Sequence, residues 1–180
     1  MLFRSQGERY GANAGPVVRE LIGGFQLNAI GSLQGGFPFS IAATDLGNGV
    51  NEATGERANQ IGNPYPSGFV KNVNHWFSPA AFAAPPAGYF GATSRNLMRG
   101  PGIQTLDASI FKTMKFEHLE LQLRFESFNV LNHPQFSDPN ATATVAEGQA
   151  IPANYALGTI TSTNSKVPNR ENQGAIRITF

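Results

Sequence analysis

The sequence predicts an all-β protein, built as an antiparallel meander of about four long strands with two long loops. Residues 105–131 contain two runs in which apolar and polar side chains alternate. This two-residue period indicates β-strands, because successive side chains of a strand point to opposite faces. Residues 21–43 and 175–180 alternate in the same way. The 20 glycines and 12 prolines suit the long irregular stretches between these runs.

The first strand is expected to run from residue 21 to 43 as one long, bent strand. Its two faces differ in polarity: the apolar face holds Leu21, Phe25, Leu27, Ala29 and Leu33, and the polar face holds Gln26, Asn28, Ser32 and Gln34. Pro38 has no backbone N–H to donate to a neighbouring strand. A bulge, bend or tight turn is therefore expected where residues 35–38 interrupt the pattern.

The central pair of strands is expected at residues 105–116 and 119–131. One face is apolar, with Leu106, Ala108, Ile110, Met114, Phe116, Leu119, Leu121, Leu123 and Phe125. The other face is polar, with Asp107, Ser109, Thr113, Lys115, Glu120, Gln122, Arg124 and Glu126. Lys112 falls on the apolar face, so it must either reach a membrane interface with its ammonium group or mark a slip in register. A last alternating run ends on Ile176, Ile178 and Phe180.

The connections between these strands differ sharply in length. The link between residues 116 and 119 is very short, whereas residues 44–104 and 133–172 form irregular stretches of about 60 and 40 residues, far beyond the usual 4–6. A short helical turn is expected near 74–82, and a short β-like run at 155–161. Each alternating run in 105–131 has about 12 residues, close to the length that crosses a bilayer at a tilt.

Bacterial outer-membrane barrels alternate short periplasmic turns with long extracellular loops, and their strands alternate apolar-out with polar-in. This pattern predicts that the chain is a piece of such a barrel, with two extracellular loops. Four charged side chains are then expected to face the lumen: Asp107, Glu120, Arg124 and Glu126.

The composition argues against several other functions. The net charge is +1 and no Lys/Arg cluster occurs, so nucleic acid is not an expected partner. The chain has no cysteine, and its three histidines, His75, His118 and His133, have no metal-binding spacing. No serine-nucleophile or phosphate-binding motif is present. We therefore expect no enzyme activity, no metal and no cofactor. The polar cluster of Glu126, Asn129, Asn132 and His133 is interpreted as a hydrogen-bonded strand end.

Several motifs resemble the C-terminal end of TonB-dependent receptors, in the Oar-like branch common in Acidobacteria that has a carboxypeptidase-regulatory-like N-terminal domain. They span nearly the whole chain: GGFPF at 35–39, WFSPAAF at 76–82, SRNLMRGPG at 94–102, LDASIFK at 106–112, LRFESFNVLNHPQF at 123–136 and LGTITST at 157–163. The resemblance implies that residues 1–180 are the C-terminal portion of a larger barrel. It also implies that the plug, the TonB box and the upstream strands lie outside this sequence.

The resemblance also implies partners and contacts in the outer membrane of a Gram-negative bacterium. Lipid would surround the wall, the TonB complex would act through the part outside this sequence, and the barrel-assembly machinery would read the last strand through Ile176, Ile178 and Phe180. Loop aromatics, namely Trp76, Phe77, Phe82 and Tyr89, would contact a ligand or pack the loop onto itself. The alternative is a secreted or cell-surface β-sandwich that binds carbohydrate or another surface ligand and buries its apolar faces against each other.

Overall fold

The computed structural model describes residues 22–44, 56–167 and 169–180, together with Gly15 and Val18. The described strands are, in chain order, β1 (Phe25–Gln34), β2 (Pro38–Phe39), β3 (Ala42–Thr44), β4 (Glu56–Arg57), β5 (Asn59–Gln60), β6 (Phe82–Ala83), β7 (Met98–Arg99), β8 (Ile103–Phe116), β9 (Leu119–Phe128), β10 (Thr142–Thr144) and β11 (Glu171–Thr179). A short 3-10 helix covers Pro79–Ala81. Among the described residues, no helix combines the length and apolar character needed to cross a membrane.

The chain divides into two compact units. The first comprises residues 1–34, 104–134 and 166–180, and the second comprises residues 35–103 and 135–165. All long strands belong to the first unit, and the second is made from the two long connections between them.

A four-stranded sheet in the order β1-β8-β9-β11 forms the first unit. Strands β8 and β9 are antiparallel, with Phe116 opposite Leu119 and Ala108 opposite Ser127, and β11 pairs antiparallel with β9. Strand β1 is also antiparallel to β8, because Gly24 bonds to Thr113 while Asn28, further along β1, bonds to Ser109. The predicted all-β antiparallel meander is confirmed.

The register separates apolar from polar side chains across all four strands. One face continues from strand to strand through rows of paired residues. Two such rows are Met114, Leu121 and Ile178, and Lys112, Leu123 and Ile176. This apolar face is not buried: Leu33 is 85% exposed, Ile176 70% and Phe125 50%. A soluble β-sandwich would cover such a face with a second sheet, so the sandwich alternative has no support in this sheet.

The two ends of the sheet differ in their connections. The turn at residues 117–118, the start of β1 and the end of β11 lie at one end, because Phe25 neighbours Lys112 and Thr179 pairs with Glu120. The long connections leave from the opposite end, where β1 and β9 finish and β8 and β11 begin. Short and long connections therefore segregate to opposite ends, as the sequence predicted.

The first strand is shorter than expected. The single bent strand predicted for residues 21–43 is instead β1, which ends at Gln34, followed by the short strands β2 and β3; Leu21 lies outside the described residues. The break lies next to Gly36, where the backbone comes very close to Gly100. A Cβ on residue 36 would lie 1.8 Å from the Gly100 carbonyl oxygen, so only glycine fits there. Strand β2 pairs with β7 and β3 pairs with β4, so neither continues the ladder of β1.

The second unit has its own hydrophobic core, so the two long segments predicted from the sequence pack together and contain strands of two or three residues. Strand β3 lies between β4, from the first connection, and β10, from the second. Both connections also supply core residues, namely Ile41, Ala43, Ala58, Phe77, Ala81, Phe82, Ala84, Met98, Ala143, Ile151 and Leu157. The predicted helical turn near 74–82 is present as the 3-10 helix, whereas the predicted run at 155–161 forms turns and the strand lies at 142–144 instead.

The end of β9 is closed by a buried asparagine, which confirms the interpretation of this cluster as a hydrogen-bonded strand end. Asn129 adopts a left-handed conformation with φ 48° and is 4% exposed. Its side-chain amide donates to the His133 carbonyl at 3.0 Å and accepts from the His133 N–H at 3.1 Å. Its own N–H donates to Asp107 Oδ1 at 2.8 Å, which ties the end of β9 to β8.

Replacing Asn129 tests this strand end. Asn129→Ala removes both bonds to His133 and places an alanine in a left-handed conformation, so the free energy of unfolding in detergent should fall by about 2–4 kcal/mol. Asn129→Gly loses the same bonds without the conformational penalty and should be about 1 kcal/mol less destabilised. Equal losses for the two variants in urea unfolding would contradict the role of the left-handed backbone.

Candidate functional site

The polar face of the sheet gathers all four charged residues that the sequence predicted to face a lumen. Asp107 lies on β8, and Glu120, Arg124 and Glu126 lie on β9. Glu126 pairs with Ser109, and Asp107 lies two residues before Ser109 on the same face. The four residues are therefore spread along the face rather than clustered. Their shared face is a structural fact, while its exposure to a lumen stays a prediction.

Short-range contacts organise the charges on this face. Lys115 Nζ lies 3.6 Å from Glu120 Oε2, next to the turn that joins β8 and β9. Arg124 Nη1 lies 4.0 Å from Glu126 Oε1, and the Arg124 guanidinium covers the Phe111 ring at 4.5 Å from its centroid. Gln173 on β11 donates to Glu126 Oε2 at 2.5 Å. These exposed pairs contribute little to the stability of the sheet.

Among the residues that the structure describes, Lys112 is the one cation on the apolar face of the sheet, and the structure explains its place. The ladder between β8 and β9 is continuous through Lys112, which pairs with Leu123, so the register does not slip. The ammonium group donates to the carbonyl of Gly23 and lies 4.6 Å from the centre of the Phe25 ring. The side chain therefore extends toward the end of the sheet where β1 begins. Long cationic side chains in an apolar band commonly extend in this way, because it brings the charge closer to water.

The last strand places its alternate apolar residues on the apolar face of the sheet. Ile176 pairs with Leu123 and Ile178 pairs with Leu121, so both extend the apolar face onto β11. Phe180 follows β11 and is 97% exposed. Within the described residues β11 is the last strand in the sheet order, which leaves one of its edges open for a further strand.

Two of the four aromatic residues proposed as ligand contacts are excluded from that role by burial. Phe77 and Phe82 have no exposed surface and pack edge to face in the core of the second unit, with ring centroids 5.7 Å apart. Trp76 is half-buried and its indole N–H donates to the Arg99 carbonyl at 2.8 Å. Tyr89 remains available because it is 68% exposed.

The structure adds surface features that the sequence reasoning missed. Lys71 Nζ lies 4.3 Å from the centre of the Tyr65 ring and 5.3 Å from that of Trp76, so a cation lies between two aromatic rings. The alternation of residues 171–179 could have pointed to Gln173 and Arg177 as members of the polar face, because both share parity with Glu171.

No group of three or more His, Cys, Asp or Glu side chains in the described residues is arranged to hold a metal ion. The polar face therefore offers charged and hydrogen-bonding side chains along a sheet. Such a face can line a water-filled space and contact solutes, while the opposite face offers an apolar surface that water does not solvate well.

Comparisons with known proteins agree with this two-faced sheet. No curated protein and no solved structure matches the chain. The family model described as "Outer membrane beta barrel domain" matches residues 4–173, which is most of the chain. The protein is therefore located in the outer membrane, and this chain belongs to the outer membrane beta barrel domain family.

Proposed function

We propose that this chain forms wall strands near the C-terminal end of a TonB-dependent receptor barrel, and that its two long connections form an extracellular ligand-capturing surface without catalysing a reaction. The observation that carries the proposal is the exposed apolar face of the sheet combined with long connections that leave from one end only. Lipid contact explains the exposed apolar side chains, and the rule of short periplasmic and long extracellular connections explains the segregation.

The assignment to the TonB-dependent class is supported by sequence motifs. The stretches at 94–102, 106–112 and 123–136 resemble the end of such receptors. Two of these stretches lie on β8 and β9, where they supply both faces of the wall. Four strands enclose no lumen, because a barrel needs about eight strands to enclose even a small interior. In this proposal, the remaining wall, the plug and the TonB box belong to the part of the receptor outside these 180 residues.

The proposal names three partners and leaves out nucleic acid. Outer-membrane lipid contacts the apolar face, and the barrel-assembly machinery recognises β11 through Ile176, Ile178 and Phe180 by adding it to a sheet edge. The TonB complex acts only through the part outside this sequence. Nucleic acid is not a partner.

Labelling of single cysteines tests the orientation directly, because the chain has no cysteine of its own. In intact cells, Tyr89→Cys in the exposed part of a long connection should react with a membrane-impermeant maleimide. His118→Cys in the short turn should react only after the outer membrane is permeabilised. Labelling of His118→Cys in intact cells, with Tyr89→Cys protected, would contradict the orientation.

A binding experiment tests the TonB-dependent class separately. The periplasmic domain of TonB should copurify with the product of the complete gene, and should not copurify with residues 1–180 alone. A complete gene product that inserts into the outer membrane yet does not bind TonB would rule out the class while leaving the barrel assignment unchanged.

A further inference from the structure

A depression on the polar face, between β9 and β11, is used by none of the functions described above. It has a volume of about 210 Å³ and is lined by Gln122, Arg124, Ala175 and Arg177. Arg124 pairs with Ala175, and Gln122 pairs with Arg177, so the two arginines are diagonal neighbours on adjacent strands. Diagonal residues lie about 7–8 Å apart, within reach of long side chains. Ala175 contributes only a methyl group to the lining.

The carboxylates near this depression are already engaged by other groups. Glu120 lies 3.6 Å from Lys115 Nζ. One oxygen of Glu126 accepts from Gln173 at 2.5 Å, and the other lies 4.0 Å from Arg124 Nη1, at the limit of an ion pair. Neither of the two ion pairs found among the described residues includes Arg177. The depression therefore has more positive charge than its nearby carboxylates balance.

The side chains that line the depression are of the kind that bind an anion with several oxygen atoms. The Arg124 guanidinium is held over the Phe111 ring, with 4.5 Å between its central carbon and the ring centroid, which restricts its orientation. A guanidinium group presents N–H donors in a planar fork that matches a carboxylate or a phosphate. Gln122 adds an amide donor, which now lies 3.5 Å from the Thr113 hydroxyl.

We propose that this depression is a binding subsite for an oxyanion, namely the carboxylate or phosphate group of a solute that passes along the polar face. The inference rests on the proposed function, in which the polar face lines the barrel lumen. Arg124 and Arg177 bind the oxyanion from two strands, and Gln122 donates to one of its oxygens. The volume accommodates one such group with a few water molecules, since each water occupies about 30 Å³ in the liquid.

A titration of the purified chain in an uncharged maltoside detergent tests the subsite, with inorganic phosphate and acetate as probes and sodium chloride at equal ionic strength as the reference. Side-chain Nε–H resonances of Arg124 and Arg177 should shift with one shared, saturable dissociation constant. Arg177→Gln and Arg124→Gln should each weaken binding about tenfold or more, because each removes charge-assisted hydrogen bonds. The tighter-binding probe identifies which class of oxyanion the site prefers.

Arg170→Gln is the matched control. It removes the same charge just before β11, but Arg170 does not line the depression. Binding to this variant should stay within about twofold of the unmodified chain, as expected for an exposed charge at a distance. Equal weakening by Arg170→Gln and Arg177→Gln, or shifts that do not saturate, would overturn the subsite. Cysteine labelling reports separately on the barrel, so loss of the subsite and loss of the proposed orientation are distinguished.

Discussion

Ile110→Arg is expected to weaken insertion of this chain into the membrane by about 2–4 kcal/mol, the cost of a cation on the lipid face near the middle of the bilayer. Ile110 lies on the apolar face of β8, opposite Phe125 on β9. It is several residues from both ends of the strand, so an arginine there cannot reach water as easily as Lys112, whose ammonium donates to the Gly23 carbonyl just before β1. The measurement is urea unfolding in phospholipid vesicles, together with the amount of protease-resistant protein in outer membranes.

Ser109→Arg is the matched control, because it adds the same side chain one residue away on the opposite face. Ser109 pairs with Glu126, so the new guanidinium would meet a carboxylate on the polar face. Its effect on the free energy of unfolding should stay within about 0.5 kcal/mol. If the two variants were equally destabilised, the assignment of the apolar face to lipid would be wrong.

Phe77→Ala is expected to destabilise the second unit by about 3–5 kcal/mol, the usual cost of removing a large aromatic side chain from a packed core. Phe77 has no exposed surface and contacts the rings of Phe39 and Phe82, with centroids 6.1 Å and 5.7 Å away. Gly158, from the other long connection, leaves room for the same ring, because a Cβ added to it would lie 3.4 Å from Phe77 Cε1. The loss should therefore spread through both connections.

Hydrogen exchange measures this spread. In Phe77→Ala, amides of residues 56–103 and 135–165 should lose protection together, while amides of β8 and β9 keep theirs, because the sheet belongs to the other compact unit. Tyr89→Ala, at a side chain that is 68% exposed, is the control and should leave protection unchanged. Loss of protection near residue 77 alone would mean that the two connections fold independently of each other.

A folded second unit bears on the proposed capture of a ligand by the two long connections. Two flexible loops would lose conformational entropy when they bind a ligand, whereas a unit with its own core has lost most of it on folding. Hydrogen bonds between the connections, such as Ile151 N–H to the Phe82 carbonyl at 2.9 Å, hold this unit together. Exposed aromatics such as Tyr89 and Phe90 are then presented from a compact support, which favours a pre-organised binding surface.

The sequence by itself determined the sheet of the first unit. Its strands are long, and their two-residue period is a local property that each strand carries in its own residues, so faces, antiparallel order and the position of Lys112 could all be derived without coordinates. The segregation of short and long connections followed from the same strands. The motifs at 94–136 and the family of barrels were also accessible from the sequence.

Only the tertiary structure decided the second unit. Strands such as β3, β4 and β10 have two or three residues, too few to show a period, and the core joins residues that are far apart in the chain, such as Ile41, Phe77 and Leu157. Burial of Phe77 and Phe82 depends on these long-range contacts, which is why the sequence left open whether they contact a ligand or pack the loop onto itself. The diagonal placement of Arg124 and Arg177 on β9 and β11 likewise depends on the register between distant segments, which local periodicity does not specify.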